Sequence, residues 1–306
     1  MTLRFDTDFE PHHGELVTVS PLLRRIVAPN PSKYTWHGTG TYVVGHGRVT
    51  VIDPGPDDPD HVAALLAALG DETVERICVT HTHADHSPGA RLLAAATGAP
   101  VLAWGPHPHE AVGEGPDDDA GRPRGVDLDF EPDERLAHGE VLDAPDHTLE
   151  VLHTPGHISN HLCFALREEG AVLTGDHVMG WSTTVIPPPD GDIAAYLRSL
   201  ELLLARDEEV VYPTHGGPRH DAHAHIAALR EHRLERELQI VTQLELGPRS
   251  PREIVAVLYA QVRPELHEAA ARSVLAHLRK LADEGRARPD PDADPLDPAT
   301  VWRLGS

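Results

Sequence analysis

Six residues, His81-Thr-His83-Ala-Asp85-His86, constrain this chain more than any other segment. Three imidazoles and a carboxylate follow directly on ERICVT, an apolar and β-branched run that reads as a strand. Histidine is abundant, with 23 in 306 residues, so chance has to be weighed first. At that frequency, and with 26 aspartates, an H-x-H-x-D-H arrangement arises in about 0.01 of comparable chains. Metal ligation is the better explanation. In an extended segment, side chains at i and i+2 share a face about 6.5 to 7 Å apart, so His81 and His83 can pinch one ion. Asp85 and His86 fall where the strand gives way to a helix, are turned off that face, and predict a second ion beside the first.

Three more candidates each follow a predicted strand: His157 in HTPGHISNH, Asp176 in LTGDH and His215 in VYPTHGG. In open α/β sheets, functional groups gather on the loops at one end of the strands, so residues far apart in sequence converge there. Five histidines and two aspartates suit two four- or five-coordinate cations completed by water, with a carboxylate able to bridge. His161 and His177 neighbour these motifs and are read either as hydrogen-bonding supports or as structural side chains. Trp181, Thr183 and Thr184 follow Asp176 closely enough to line a pocket.

Turn-punctuated strands are predicted from about residue 16 to 52, then strand and helix alternate. A helix starts at Asp58-Pro59 and stops at Gly70, a second is capped by Ser87-Pro88, a third runs from Ile193 to Ala205, and a long charged one from about Arg219 to Leu246. His220, His223 and His225, at its start, read as a solvated face. Residues 104–125 are Gly/Pro-rich and polar, a surface loop or lid carrying His107 and His109. The LELGPRSPREI cluster separates residues 1–247 from 248–306, where two helical patterns and a strand-like VWRL predict a winged-helix module.

Net charge is −23, yet the tail from 248 holds nine basic and nine acidic side chains, so the whole acidic excess lies in residues 1–247. Steering of nucleic acid onto that part is disfavoured, and small or weakly charged substrates fit better. The two cysteines, Cys78 and Cys163, sit in apolar runs and read as reduced core thiols of a cytoplasmic protein. No secretory leader and no apolar run of membrane-spanning length is seen, so no membrane partner is expected.

HTHADH, TPGH, TGD and PTHGG, taken together, resemble the metallo-β-lactamase superfamily from residue 16 to about 246. That resemblance implies an αββα sandwich. It also implies that His81, His83 and His157 bind one metal, that Asp85, His86 and His215 bind another, and that Asp176 bridges them. Asp53 in VIDPG resembles the family's aspartate that orients the histidine loop, although a strand-end turn residue explains it as well. VIDPG, TGDHVMGWSTT and the helical extension are similar to the lactamase-β-2-like branch, which includes endoribonucleases. Gly40 stands where that branch often has Asn.

The expected function is hydrolysis by two divalent cations, zinc ahead of manganese or iron(II), through a hydroxide shared between them, with Asp85 and Asp176 as the catalytic carboxylates. Ester, thioester, lactone, amide and phosphodiester substrates stay open, as does a glyoxalase-II-type thioesterase. An endoribonuclease acting on single-stranded RNA would use Arg272, Arg279, Lys280, Arg286 and Arg288, opposed by Asp283 and Glu284. A persulfide dioxygenase would hold a single iron, and a nucleic-acid-binding regulator would use the tail. The long helices leave room for a homodimer.

Overall fold

A computed structural model of the chain describes residues 3–108, 125–261 and 263–305. Residues 109–124 of the loop expected over 104–125 lie outside those residues, and His109 with them. Among the described residues, no helix is long and apolar enough to cross a membrane.

The β-branched runs near the N-terminus form β1 (Val17–Ser20), β2 (Leu23–Val27), β3 (Gly40–Val44) and β4 (Arg48–Ile52), a meander of antiparallel neighbours. Helix α1 (Pro59–Leu69) then returns the chain to β5 (Thr73–Cys78), parallel to β4, and α2 (Gly89–Thr97) returns it to β6 (Val101–Ala103), parallel to β5. Both are crossovers that parallel pairing requires. Asp58 caps α1 by accepting from Asp60 N and His61 N, and Gly70 ends it at φ 59°. Ser87 does not cap α2; its hydroxyl donates to Asp127 at 2.9 Å, and the cap position falls on Pro88. Two short strands have too little apolar alternation to announce themselves in the sequence: β7 (Glu134–Arg135), which closes the seven-stranded sheet, and β8 (Val141–Asp143).

The second sheet runs β12-β11-β10-β9-β8. It is built from β9 (Thr148–His153), β10 (Leu162–Leu166), β11 (Ala171–Gly175) and β12 (Val210–Pro213), with α3 (Ile193–Leu204) as the crossover between parallel β11 and β12. Period-two alternation sends the strands' side chains to different layers. Leu162, Phe164 and Leu166 of β10 meet Leu23, Tyr42 and Val44 between the sheets. Cys163 and Ala165 face Tyr196 and Leu200 of α3, while Val43 and Val51 face Leu65 and Leu93 of α1 and α2. The result is an αββα sandwich.

Helix α4 (Ala222–Glu245) starts later than the sequence suggests, because Arg219 exchanges backbone hydrogen bonds with Val211 and extends the sheet edge. His225 is buried, not solvated, and its Nε2 meets the Met179 carbonyl at 2.9 Å. Beyond Gly247 lie α5 (Pro251–Leu258), opened by a capping box of Ser250 and Glu253, then α6 (His267–Asp283) and the antiparallel wing of β13 (Ala287–Pro289) and β14 (Trp302–Leu304). The end of α4, through Ile240 and Leu244, joins this winged-helix module around buried Trp302.

Candidate metal centre

Strand β5 ends at Cys78, and the chain then delivers His81, His83, Asp85 and His86 in a tight turn before α2. The turn is fixed from beneath by Asp53, fully buried after β4 and at φ 50°. Its Oδ1 accepts from Thr80 N and its Oδ2 from Thr80 Oγ1, each at 2.7 Å, and Oδ2 also takes His86 Nδ1 at 2.9 Å and Thr214 Oγ1 at 3.2 Å. One carboxylate thereby ties the histidine turn to the loop bearing His215. His157 comes from the loop after β9, Asp176 from the end of β11 and His215 from the end of β12.

All seven residues singled out in the sequence meet. His81, His83, His157 and Asp176 place ligand-type atoms within 4.8 Å of one another, and Asp85, His86 and His215 form a second such group. The Asp176 carboxylate faces both: Oδ2 lies 3.6 Å from His157 Nε2, while Oδ1 lies 3.6 Å from His86 Nε2 and 3.4 Å from His215 Nε2. Asp85 Oδ2 is 3.3 Å from the Nε2 of both His86 and His215.

Hydrogen bonds behind the rings set the tautomers. Thr80 Oγ1 gives its proton to Asp53, so it accepts from His81 Nδ1 at 2.9 Å. His157 Nδ1 donates to the Val185 carbonyl at 2.5 Å, and His215 Nδ1 donates to the Gly38 carbonyl at 3.0 Å. His86 Nδ1 is held by Asp53. In each of these four rings, Nε2 is the nitrogen left facing the cluster.

Such a donor set fits a cation. Nε2 of His81 and Nε2 of His157 both lie 2.9 Å from His83 Nδ1, and one proton there can satisfy only one of them. Among the described residues, His86 Nε2 and Asp176 Oδ1 are buried without any hydrogen-bond partner. Charge follows the same division. Burial, with the neighbouring imidazoles, holds His81 and His83 well below the usual histidine range. Burial would lower His86 and His215 too, but the aspartates beside them outweigh it and raise both, so these rings seek positive charge.

His161 is also in place, with Nδ1 2.9 Å from Thr154 Oγ1 and Nε2 accepting from Asp176 N at 3.2 Å. His177 turns away. Its ring packs on Tyr196 with no hydrogen-bond partner among the described residues, and burial, helped by His157, pushes it down to about 3. His107 is buried with Nδ1 3.2 Å from Thr82 Oγ1. Trp181 stacks on Trp36, while Thr184 is buried behind Asp176 instead of lining an open pocket. Thr39, which donates to Asp85 Oδ2 at 2.9 Å, escapes the sequence reading; a threonine in GTGTY gives no signal until the fold brings that strand start to the site. Gly40 has a steric reason: a Cβ there would sit 2.9 Å from the Thr214 carbonyl beside His215.

The profile of the metallo-beta-lactamase superfamily matches residues 34–215, a stretch that contains all seven residues. The chain belongs to the metallo-beta-lactamase superfamily. A second profile, the beta-lactamase associated winged helix domain, matches residues 250–294. Among its relatives, this superfamily hydrolase is 34% identical over 230 residues to an atrochrysone carboxyl ACP thioesterase of Aspergillus chevalieri, covering 74% of this chain and 67% of that one. It is 32% identical over 281 residues to a beta-lactamase-like protein 2 homolog of Drosophila melanogaster, covering 88% and 91%. A crystal structure of a metallo-beta-lactamase family protein from Thermus thermophilus superposes with a TM-score of 0.74 at 25% identity, over 94% of this chain and 100% of that one. Members of the superfamily bind divalent metals, which accords with the donor set.

Proposed function

We propose that this superfamily member is a dinuclear metal-dependent thioesterase. The observation that carries the reading is the Asp176 carboxylate, which turns one oxygen toward each of the two ligand groups. His81, His83 and His157 would hold one cation, Asp85, His86 and His215 the other, with Asp176 between them. Zinc suits an imidazole-rich set with borderline softness. Bound there, the ions supply Lewis acidity to the scissile carbonyl and lower the pKa of the attacking water.

The chain's own groups orient and carry protons. Asp53 holds His86 and, through Thr80, His81; His161 steadies the backbone of Asp176. In hydrolysis a bond forms from water oxygen to the acyl carbon, the carbon–sulfur bond breaks, and the departing thiolate takes up the proton that water gives up. Asp85, with 26% of its side chain exposed against 11% for Asp176, is the aspartate placed to pass that proton. A cysteine nucleophile plays no part, since burial pushes both thiols up to about 12.

Thioesters are favoured within the hydrolases because two of the relatives, 34% and 31% identical, are named atrochrysone carboxyl ACP thioesterase. RNA is disfavoured by the tail's own pairing: Arg279 donates to the Pro189 carbonyl, and Lys280 and Arg286 are paired with Glu237 and Glu284. We place the domain boundary between residues 247 and 248, and the protein in the cytoplasm, on its two free buried thiols. A panel of thioester, lactone, phosphodiester and single-stranded RNA substrates tests the assignment. Turnover of the thioester that vanishes in His83→Ala is expected; RNA cleavage with no thioester turnover overturns it.

A further inference from the structure

The segment that leaves Asp176 and leads to α3 grips two of the ligand residues at once. Thr184 Oγ1 donates to the carbonyls of Asp176 at 2.6 Å and His177 at 3.1 Å. The next carbonyl along, that of Val185, takes the His157 Nδ1 proton. Between these two bonds, the Thr184 carbonyl accepts from Nη2 of Arg233 on α4. Adjacent residues therefore link Asp176, His157 and one guanidinium.

Arg233 is in an unusual place for a cation. It is 3% exposed, it lies over the Tyr196 ring at 5.4 Å, and no ion pair to it is found among the described residues. It occupies the buried stripe of α4, in the series Ile226, Leu229, Arg233, Glu237, Ile240 and Leu244. A buried charge without an opposite charge is costly, so what it holds is informative. The same segment is also held from the C-terminal module, where Arg279 of α6 donates to the Pro189 carbonyl at 2.9 Å. Farther on it returns to the His157 loop: Asp190 Oδ2 accepts from Ser159 N, and Asp192 N donates to the Gly156 carbonyl, both at 2.9 Å.

We propose that Arg233, reinforced by Arg279, is a positioning residue for the metal centre. It fixes the Thr184–Val185 pair so that His157 and Asp176 present their ligand atoms to the same ion, which makes α4 and the winged-helix module a brace for the site. This rests on the ligand roles of His157 and Asp176 proposed above.

The test uses the full chain reconstituted with cobalt(II), whose absorption spectrum reports ligand geometry independently of turnover. In Arg233→Met, the cobalt bands shift and thioester kcat falls about tenfold or more, while KM stays within about threefold. Arg233→Lys recovers most of both, and Arg279→Ala moves them in the same direction by less. A folded Arg233→Met with wild-type spectrum and kcat overturns the bracing role. Should Arg233→Met fail to fold, Thr184→Val and Arg279→Ala decide, and unchanged spectra in both overturn it. A wild-type chain that takes up no cobalt overturns the metal reading itself and the brace with it.

Discussion

Asp53 Oδ2 lies 2.9 Å from His86 Nδ1, and both side chains are closed off from solvent. The carboxylate collects two further hydroxyl protons from Thr80 and Thr214, so it fixes two loops as well as one ring. Asp53→Asn tests this, because Asn tolerates the φ of 50° while replacing one acceptor oxygen by a donor. A loss of about 10- to 100-fold in activity or affinity for the second metal is expected, together with a lower thermal midpoint, since the amide NH2 faces buried donors that the carboxylate satisfied. Titration with a competing chelator measures it.

Gly175 ends β11 at φ 50°, and a Cβ there would sit 2.7 Å from His161 Nε2 and 3.0 Å from Thr80 Oγ1. Those two groups support Asp176 and Asp53 and are buried. Gly175→Ala is expected to cost about 2 to 4 kcal/mol from overpacking and the left-handed backbone, read as a lower urea midpoint at unchanged slope.

Glu237 on α4 links the catalytic part to the tail. Burial pushes its carboxyl up, but His277, Lys280 and Arg286 outweigh that and hold it at about 2, against 4.5 when unfolded. A depressed carboxyl contributes stability in full above its unfolded value and loses it as pH falls toward its folded one, so the window here is pH 4.5 to about 2. Glu237→Gln should destabilise the protein at pH 7 by on the order of 2 kcal/mol, and that difference should shrink steadily below about pH 4.5. Urea unfolding across the pH series checks both the size and the sign.

Cys78 and Cys163 are fully buried. With both thiols pushed up to about 12, neither should react with an aromatic disulfide reagent at about pH 8 in the native protein, and both should react in denaturant. Absorbance of the released thiolate counts them.

The seven residues that cluster were legible because metal binding would need particular side chains at spacings a strand end can present, and HTHADH is dense enough to stand above a histidine-rich background. The strands were legible as apolar runs between turn signals, but the αββα layering followed only from the resemblance, because LCFAL is apolar throughout and only the structure sends Leu162, Phe164 and Leu166 to one layer and Cys163 and Ala165 to the other. What stayed hidden works through the backbone or through distance. The Val185 and Gly38 carbonyls that set the His157 and His215 tautomers carry no side-chain signature. Ser87 looks like a cap until Asp127 arrives from 40 residues away. His225 sits in a polar stretch, and the Met179 carbonyl that satisfies its buried ring comes from 46 residues away. Arg233 did leave a trace, a charge at a core position of a helical stripe, but what it grips is visible only in three dimensions.

Anomalous diffraction from crystals of the purified, metal-reconstituted protein tests the central claim most directly. Two peaks are expected, one among His81, His83 and His157 and one among Asp85, His86 and His215, with Asp176 touching both. No peak at these seven residues after reconstitution, or metal bound elsewhere on the chain, would contradict it.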